Sequence, residues 1–159
     1  MGRYSATGNQ GEQERNLRFA VDEFGYSMGR VPVDSYLFPE VAINYSVALR
    51  KIGEQEQAVE LLNQAILEHP KYASAYAAMS IMYRELEQPD KQLEILKDGL
   101  AATDGESAEL HYFTGLALAK RKQYEEAKQH AIQAYRLGYP LPGLKRRLAR
   151  AGYRLTDDS

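Results

Sequence analysis

The strongest constraint on this chain is an internal repeat of about 34 residues. Ala58 aligns with Gln92 and Ala127, at spacings of 92 − 58 = 34 and 127 − 92 = 35. The same offsets bring other small residues, leucines and turn-forming residues into register. The further matched sets are Leu62 with Leu96 and Ala131, Ala65 with Gly99 and Ala134, Ser46 with Ser80 and Gly115, and Pro70 with Asp104 and Tyr139. Such a period indicates stacked supersecondary units that bury one another's apolar faces.

Each repeat has the pattern of two short helices. In the first repeat, residues 40–51 and 56–68 carry apolar and small side chains at helical spacing. Gly53 ends the first of these helices and Pro70 follows the second, as expected at helix boundaries. Pro89 marks the start of the corresponding second helix one repeat later. The pattern therefore predicts an all-α chain of helix–turn–helix units.

These residues resemble the tetratricopeptide repeat, whose pattern is a bulky residue, Leu-Gly, an aromatic residue, and then Ala, a bulky residue, Ala and Pro. The similarity covers about residues 39–140, and it departs from the pattern at Gln92, Asp104 and His111. The resemblance implies a TPR-type α-solenoid with a C-terminal capping helix. Within residues 39–139 it implies three repeats, at 39–72, 73–107 and 108–139.

The two ends of the chain lie outside the repeats. Residues 1–11 contain Gly, Ser and Gln, and we expect them to be disordered. Residues 12–38 are expected to form an amphipathic helix and a connector. Residues 140–159 are expected to form a capping helix and a tail, since a solenoid needs a terminal helix with a polar outer face.

The N-terminal helix has two interpretations, which the sequence leaves open. Its apolar stripe consists of Leu17, Ala20, Val21, Phe24 and Met28. This stripe can cover an apolar groove of the same chain. Alternatively, the helix is a degenerate half-repeat stacked on the first repeat, because its residues also have the spacing of a second helix.

Composition excludes several classes of function. The 159 residues contain no Cys, which excludes disulfides, Cys-ligated zinc, iron–sulfur clusters and thiol nucleophiles. A balance of 20 Lys and Arg against 22 Asp and Glu argues against a dedicated nucleic-acid binder. There is no apolar run long enough to span a bilayer and no apolar stretch typical of a secretory signal. We expect a soluble protein and favour the cytoplasm.

The resemblance implies that the first helices of successive repeats line a concave groove, which holds a peptide or a partner helix. The groove residues are expected at i, i+4 and i+7 in each first helix, and they form two apolar rows and one basic edge. This partner-binding set is Ile43, Val47 and Arg50, then Ala77, Ile81 and Arg84, then Tyr112, Leu116 and Ala119 with Lys120. The central rows lack the cations of a carboxylate clamp. The expected partner is therefore an amphipathic helix with some acidic residues.

Nothing in the sequence indicates catalysis. The three histidines, His69, His111 and His130, have no spacing typical of metal ligands or a catalytic pair. There is no Gly-rich phosphate loop and no Ser/His/Asp arrangement. We expect no enzymatic activity, no cofactor and no metal, and we interpret the protein as an adaptor or scaffold.

A basic C-terminal segment supports an alternative function. Residues 140–155 have a charge of +5 and no acid, from Lys145, Arg146, Arg147, Arg150 and Arg154. Asp157 and Asp158 subtract two, so residues 1–139 carry −2 − 5 + 2 = −5. The alternative is a homo-oligomeric assembly protein whose groove or flank binds another copy and whose basic helix contacts an anionic partner.

Overall fold

The computed structural model describes residues 5–155, with side chains from residue 8 onward. In that range the chain forms eight α-helices and no strand, as the sequence predicts. The helices are α1 (Ser5–Met28), α2 (Phe38–Lys51), α3 (Gln55–Glu68), α4 (Ala73–Glu85), α5 (Pro89–Ala102), α6 (Ala108–Lys120), α7 (Tyr124–Arg136) and α8 (Gly143–Arg150). They belong to two compact units: unit 1 ends at His69 and contains α1–α3, and unit 2 begins at Pro70 and contains α4–α8.

The turn between the two helices of a pair has the same backbone conformation in α2–α3, α4–α5 and α6–α7. Gly53, Glu87 and Lys122 occupy equivalent positions, and their φ angles are 88°, 55° and 61°. In each case the next amide donates a hydrogen bond back to the first helix, as in Glu54 N–H to the Leu49 carbonyl at 2.9 Å. The left-handed conformation of this residue directs the following amide to a carbonyl at the helix end that would otherwise lack a partner. The three helix pairs are thus repeats of one unit, which confirms the predicted fold.

Small residues at fixed repeat positions allow the helices of unit 2 to approach closely. A methyl group added at Gly99 would lie 2.7 Å from Tyr76 Cγ and 2.9 Å from Leu110 Cδ1. A methyl group added at Gly115 would lie 2.4 Å from Leu144 Cδ2. All three distances are far below van der Waals contact. The repeat pattern of small residues therefore sets the packing distance between neighbouring helices.

The last helix covers the end of unit 2. Helix α8 packs on α6 and α7, and its buried side chains are Leu144 and Leu148. The core beneath it includes Tyr112, Leu118, Ala119, Ala127, Ala131 and Ala134. The four cationic side chains of α8 are exposed. This amphipathic arrangement is the one expected of a solenoid cap.

Helix α1 differs from its predicted bounds. It begins at Ser5 rather than near residue 12, so residues 5–11, which we expected to be disordered, are helical. Residues 1–4 lie outside the described part. The helix begins this early because the segment contains no proline. Its Gln and Glu residues favour the helical conformation and lengthen the helix beyond the part that packs on α2. The Phe24 ring stacks on the Tyr45 ring of α2 at 6.4 Å, a contact that favours the half-repeat interpretation.

The connector after α1 is fixed to the end of α3 by His69. Its Nε2 lies 2.7 Å from the Val33 carbonyl oxygen and must donate, because a carbonyl only accepts. The His69 ring also stacks on Phe38 at 6.2 Å. This histidine therefore has a structural role within unit 1.

Candidate interaction surface

In unit 1 the predicted partner-binding residues share one face of α2. Ile43, Val47 and Arg50 are partly exposed. The buried residues of this helix lie beside that face, and they are Phe38, Pro39, Ala42, Ser46, Ala48 and Leu49. A helix with separate buried and exposed faces presents a mixed apolar and basic surface that does not pack against its own core.

In unit 2 the predicted set divides into exposed and buried residues. Ile81 and Leu116 are partly exposed, at equivalent positions on α4 and α6, which pack together. Arg84 and Lys120 are exposed near the ends of the same helices. These four side chains form a surface with an apolar middle and a basic edge, which we call the unit 2 face.

Three other predicted residues of unit 2 are buried, and for these the prediction of an accessible groove wall was wrong. Ala77 is 2% exposed and Ala119 is 1% exposed, because their methyl groups are enclosed by the packed helices. Tyr112 is 6% exposed, and its ring stacks on Tyr139 at 4.1 Å. The chain then passes Tyr112 so closely that a methyl group at Gly143 would lie 2.6 Å from its hydroxyl.

The basic edge of unit 2 surrounds a cleft of about 430 Å³. Its lining residues are Arg84, Glu87, Pro89, Gln92, Ala117, Lys120 and Arg121. Arg121 donates to Asp90 at 2.7 Å. Gln92 is buried at the repeat position where Ala is usual. The cleft thus combines three cations, one acid and a buried amide, a set suited to carboxylate groups.

The sequence reasoning missed a contact between two histidines. The Nδ1 atoms of His111 and His130 are 2.9 Å apart, and His111 Nε2 lies 2.9 Å from the Gly105 carbonyl oxygen. Because that carbonyl can only accept a hydrogen bond, His111 Nε2–H donates to it, and when the ring carries this one proton His111 Nδ1 accepts the hydrogen bond from His130 Nδ1–H. The repeat alignment could have indicated this contact, because it places His111 and His130 on facing sides of the paired helices α6 and α7. The linear spacing of the histidines does not indicate this contact.

The stability of unit 2 is expected to fall on acidification because of this pair. Burial lowers the pKa of His130, and the His111 and Lys97 charges lower it further, against the opposing effect of Glu126. The unfolded chain therefore takes up a proton near pH 6.5 that the folded chain resists, so the His130 contribution is complete above that pH and is lost as the pH falls below it. Urea denaturation from pH 7.5 to pH 5 should show a smaller loss for His130→Gln than for the wild type. An equal loss would contradict the assignment.

Two further properties of the described residues, 5–155, concern metal binding and membrane insertion. Among them, no group of three or more His, Cys, Asp or Glu side chains is arranged to hold a metal ion. In the same part of the chain, no helix has the length and apolar character required to cross a bilayer.

Solved structures share this fold. TTC0263, a thermophilic TPR protein of Thermus thermophilus, is 24% identical, with 87% of this chain and 74% of that chain covered at a TM-score of 0.67. A crystal structure of MamA is 14% identical, with 94% and 84% covered at 0.65. The first TPR domain of human RPAP3 is 14% identical, with 73% and 91% covered at 0.63. No protein with a curated description matches the sequence.

The sequence also matches a family of repeats. Residues 39–140 match the family described as "Psidin, N-terminal TPR repeats region". This range contains the three helix pairs from α2 to α7. Modules of this kind mediate protein–protein interaction and are generally not catalytic. The chain belongs to this tetratricopeptide-repeat family.

Proposed function

We propose that unit 2 is a non-catalytic docking module that binds a peptide or an amphipathic helix of another protein on the unit 2 face. The observation that carries the proposal is the pair Ile81 and Leu116, which retain exposed apolar area beside an open basic cleft. Covering the rest of such side chains contributes about 1 kcal/mol each at roughly 25 cal/mol per Å². Apolar contact therefore supplies most of the affinity.

The basic edge supplies selectivity in this proposal. Arg121 already pairs with Asp90, so Arg84 and Lys120 are the cations that a partner's acidic residues would meet. Exposed ion pairs contribute only about 0–1 kcal/mol each. Their main effect is to favour partners with acidic flanks and to accelerate encounter.

Unit 1 carries an equivalent set on α2, and we propose for it the same kind of contact. Ile43 and Val47 would provide the apolar contact, and Arg50 would lie at their edge. Residues at i, i+4 and i+7 lie on one face of a helix, so a partner helix or peptide can contact all three together.

Ile81→Asp is expected to weaken partner binding at least about tenfold, which corresponds to about 1.4 kcal/mol. An aspartate in the apolar middle of the unit 2 face would be desolvated by any apolar partner. Because Ile81 is partly exposed, the helix content should change little. The measurement is quantitative capture of partners from a lysate of the source organism, with circular dichroism of the same samples.

Phe19→Asp is the matched control, because Phe19 is an exposed apolar residue of α1 in unit 1. It should leave the capture by unit 2 unchanged. If Ile81→Asp captures the same proteins in the same amounts, the unit 2 face is not the docking surface. If Ile81→Asp unfolds the protein, Ile81 belongs to the core.

A further inference from the structure

Acidic and basic side chains are segregated into two segments, one in each unit. Residues 52–70 contain four glutamates and no Lys or Arg, a charge of −4. Residues 140–155 contain five cations and no Asp or Glu, a charge of +5. All four glutamates are exposed, as are the cations of α8. Two surfaces of opposite charge on one chain attract each other between copies.

The acidic segment forms a stripe along the outer face of α3. Glu56, Glu60, Asn63 and Leu67 follow the spacing i, i+4, i+7 and i+11, which places them on one helix face. The buried residues Ala58, Leu62 and Ala65 occupy the opposite face. Leu67 is 77% exposed, an unusual position for a leucine at the end of a charged stripe. The α3 stripe therefore has two acids followed by an apolar group.

The basic segment presents a comparable stripe on α8. Leu144 and Leu148 point into unit 2, so Arg146 and Arg150, on the opposite side of the helix, face outward. Leu141, just before the helix, is 55% exposed. The Tyr135 hydroxyl donates to the Leu141 carbonyl and accepts the Lys145 N–H, both at 3.0 Å. These two hydrogen bonds hold Leu141 in a fixed position relative to α8.

The two stripes match when the helices run antiparallel. Glu56 and Glu60, like Arg146 and Arg150, are one helical turn apart, about 6 Å. Leu67 lies seven residues beyond Glu60, about 10 Å along α3. Leu141 lies one residue before Pro142, whose carbonyl accepts the Arg146 N–H at 3.0 Å, so it stands about 9 Å before Arg146 along α8. The order acid, acid, leucine thus meets the order arginine, arginine, leucine at similar spacing.

We propose that the α3 stripe of one copy docks antiparallel on the α8 stripe of a second copy. Glu56 contacts Arg150, Glu60 contacts Arg146, and Leu67 contacts Leu141. The contact is head-to-tail, so each bound copy still presents one unused stripe and further copies can add. This surface is separate from the unit 2 face, so either proposal can fail without the other.

The association is expected to be weak and strongly dependent on salt. It consists of two exposed ion pairs and one pair of leucines, well below the area of about 1,200 Å² that stable interfaces bury. Exposed charge pairs are screened as the Debye length falls from about 10 Å at 0.1 M salt to about 3 Å at 1 M. Self-association should therefore be visible at high protein concentration and low salt.

Sedimentation equilibrium of the full chain tests the proposal. At about 50 mM NaCl the weight-average mass should rise between about 10 µM and about 1 mM protein, and at about 500 mM NaCl the rise should disappear. Glu56→Lys with Glu60→Lys, and separately Arg146→Glu with Arg150→Glu, should each weaken association at least about tenfold. Mixing the two variants should restore it, because each then offers the charge that the other needs.

The matched control is Glu12→Lys with Glu23→Lys, two exposed glutamates of α1 whose reversal changes the net charge equally. This control should associate like the wild type. A wild-type chain that stays monomeric at about 1 mM in low salt would overturn the proposal. Association that survives both reversals, or variants that do not associate on mixing, would do the same. A monomer whose α8 cations bind duplex DNA would assign the basic stripe to phosphates instead.

Discussion

Gly99→Leu is expected to lower the free energy of unfolding of unit 2 by about 3 kcal/mol, because it overpacks a close helix contact within the repeats. Its Cβ alone would lie 2.8 Å from Tyr76 Cβ and 2.9 Å from Leu110 Cδ1. Tyr76 has little freedom to move, since its hydroxyl donates to the Pro70 carbonyl at 2.7 Å. The three remaining carbons of leucine would have to displace whole helices.

Urea denaturation followed by circular dichroism measures this effect. Ala101→Leu is the matched control, because Ala101 is an exposed residue of the same helix α5 and gains the same side chain. Its free energy of unfolding should change by no more than about 0.5 kcal/mol. A Gly99→Leu protein as stable as this control would show that the two helices do not need their close approach.

The fold was predictable because the determinants of helix packing recur with the chain's own period. Ser46, Ser80 and Gly115 are small at the same repeat position, and all three are buried. A sequence with one such residue would allow many packings, whereas three in register allow very few. The turn residues add the same information, since Gly53, Glu87 and Lys122 share one backbone conformation despite their different side chains.

The candidate site was only partly predictable, because periodicity describes the repeated positions and carries no information about the segment after the last repeat. The position of Tyr112 is exposed to a groove in an ideal array, yet Tyr139 and Gly143 cover it here. Tyr139 stands at the repeat position of Pro70 and Asp104, which carry no aromatic ring, and Gly143 begins α8, the short helix after the last repeat. Leu116, one turn further along α6, stays partly exposed as expected.

The cleft and the histidine pair show a second limit of the sequence. Gln92 interrupts a row of alanines, and this departure from the pattern lies in the lining of the cleft. The contact of His111 with His130 joins positions 19 residues apart. Recognising it requires a comparison of facing repeat positions. Departures from a repeat are therefore the places where the specific chemistry of such a chain should be sought.

Leu144→Ala combined with Leu148→Ala is expected to detach α8 from unit 2. Each truncation of a fully buried leucine costs about 2–5 kcal/mol, and these two are the buried side chains of the helix. An eight-residue helix is too short to persist in water without tertiary contacts. The loss should therefore appear as local unfolding of α8, while α4 and α5 keep their packing. Hydrogen–deuterium exchange resolved by peptide should show rapid exchange over residues 143–150 alone.

Arg147→Ala combined with Arg150→Ala is the control, because it makes two truncations in the same helix at exposed positions. Alanine favours the helix at least as well as arginine, so residues 143–150 should remain protected. Protection that survives the leucine truncations would mean that other contacts hold α8. Because a detached α8 loses the fixed spacing of Leu141, Arg146 and Arg150, the leucine variant should also lose self-association. Partner capture that depends on Ile81 should change less than self-association, since among the described helices α8 packs on α6 and α7 and not on α4.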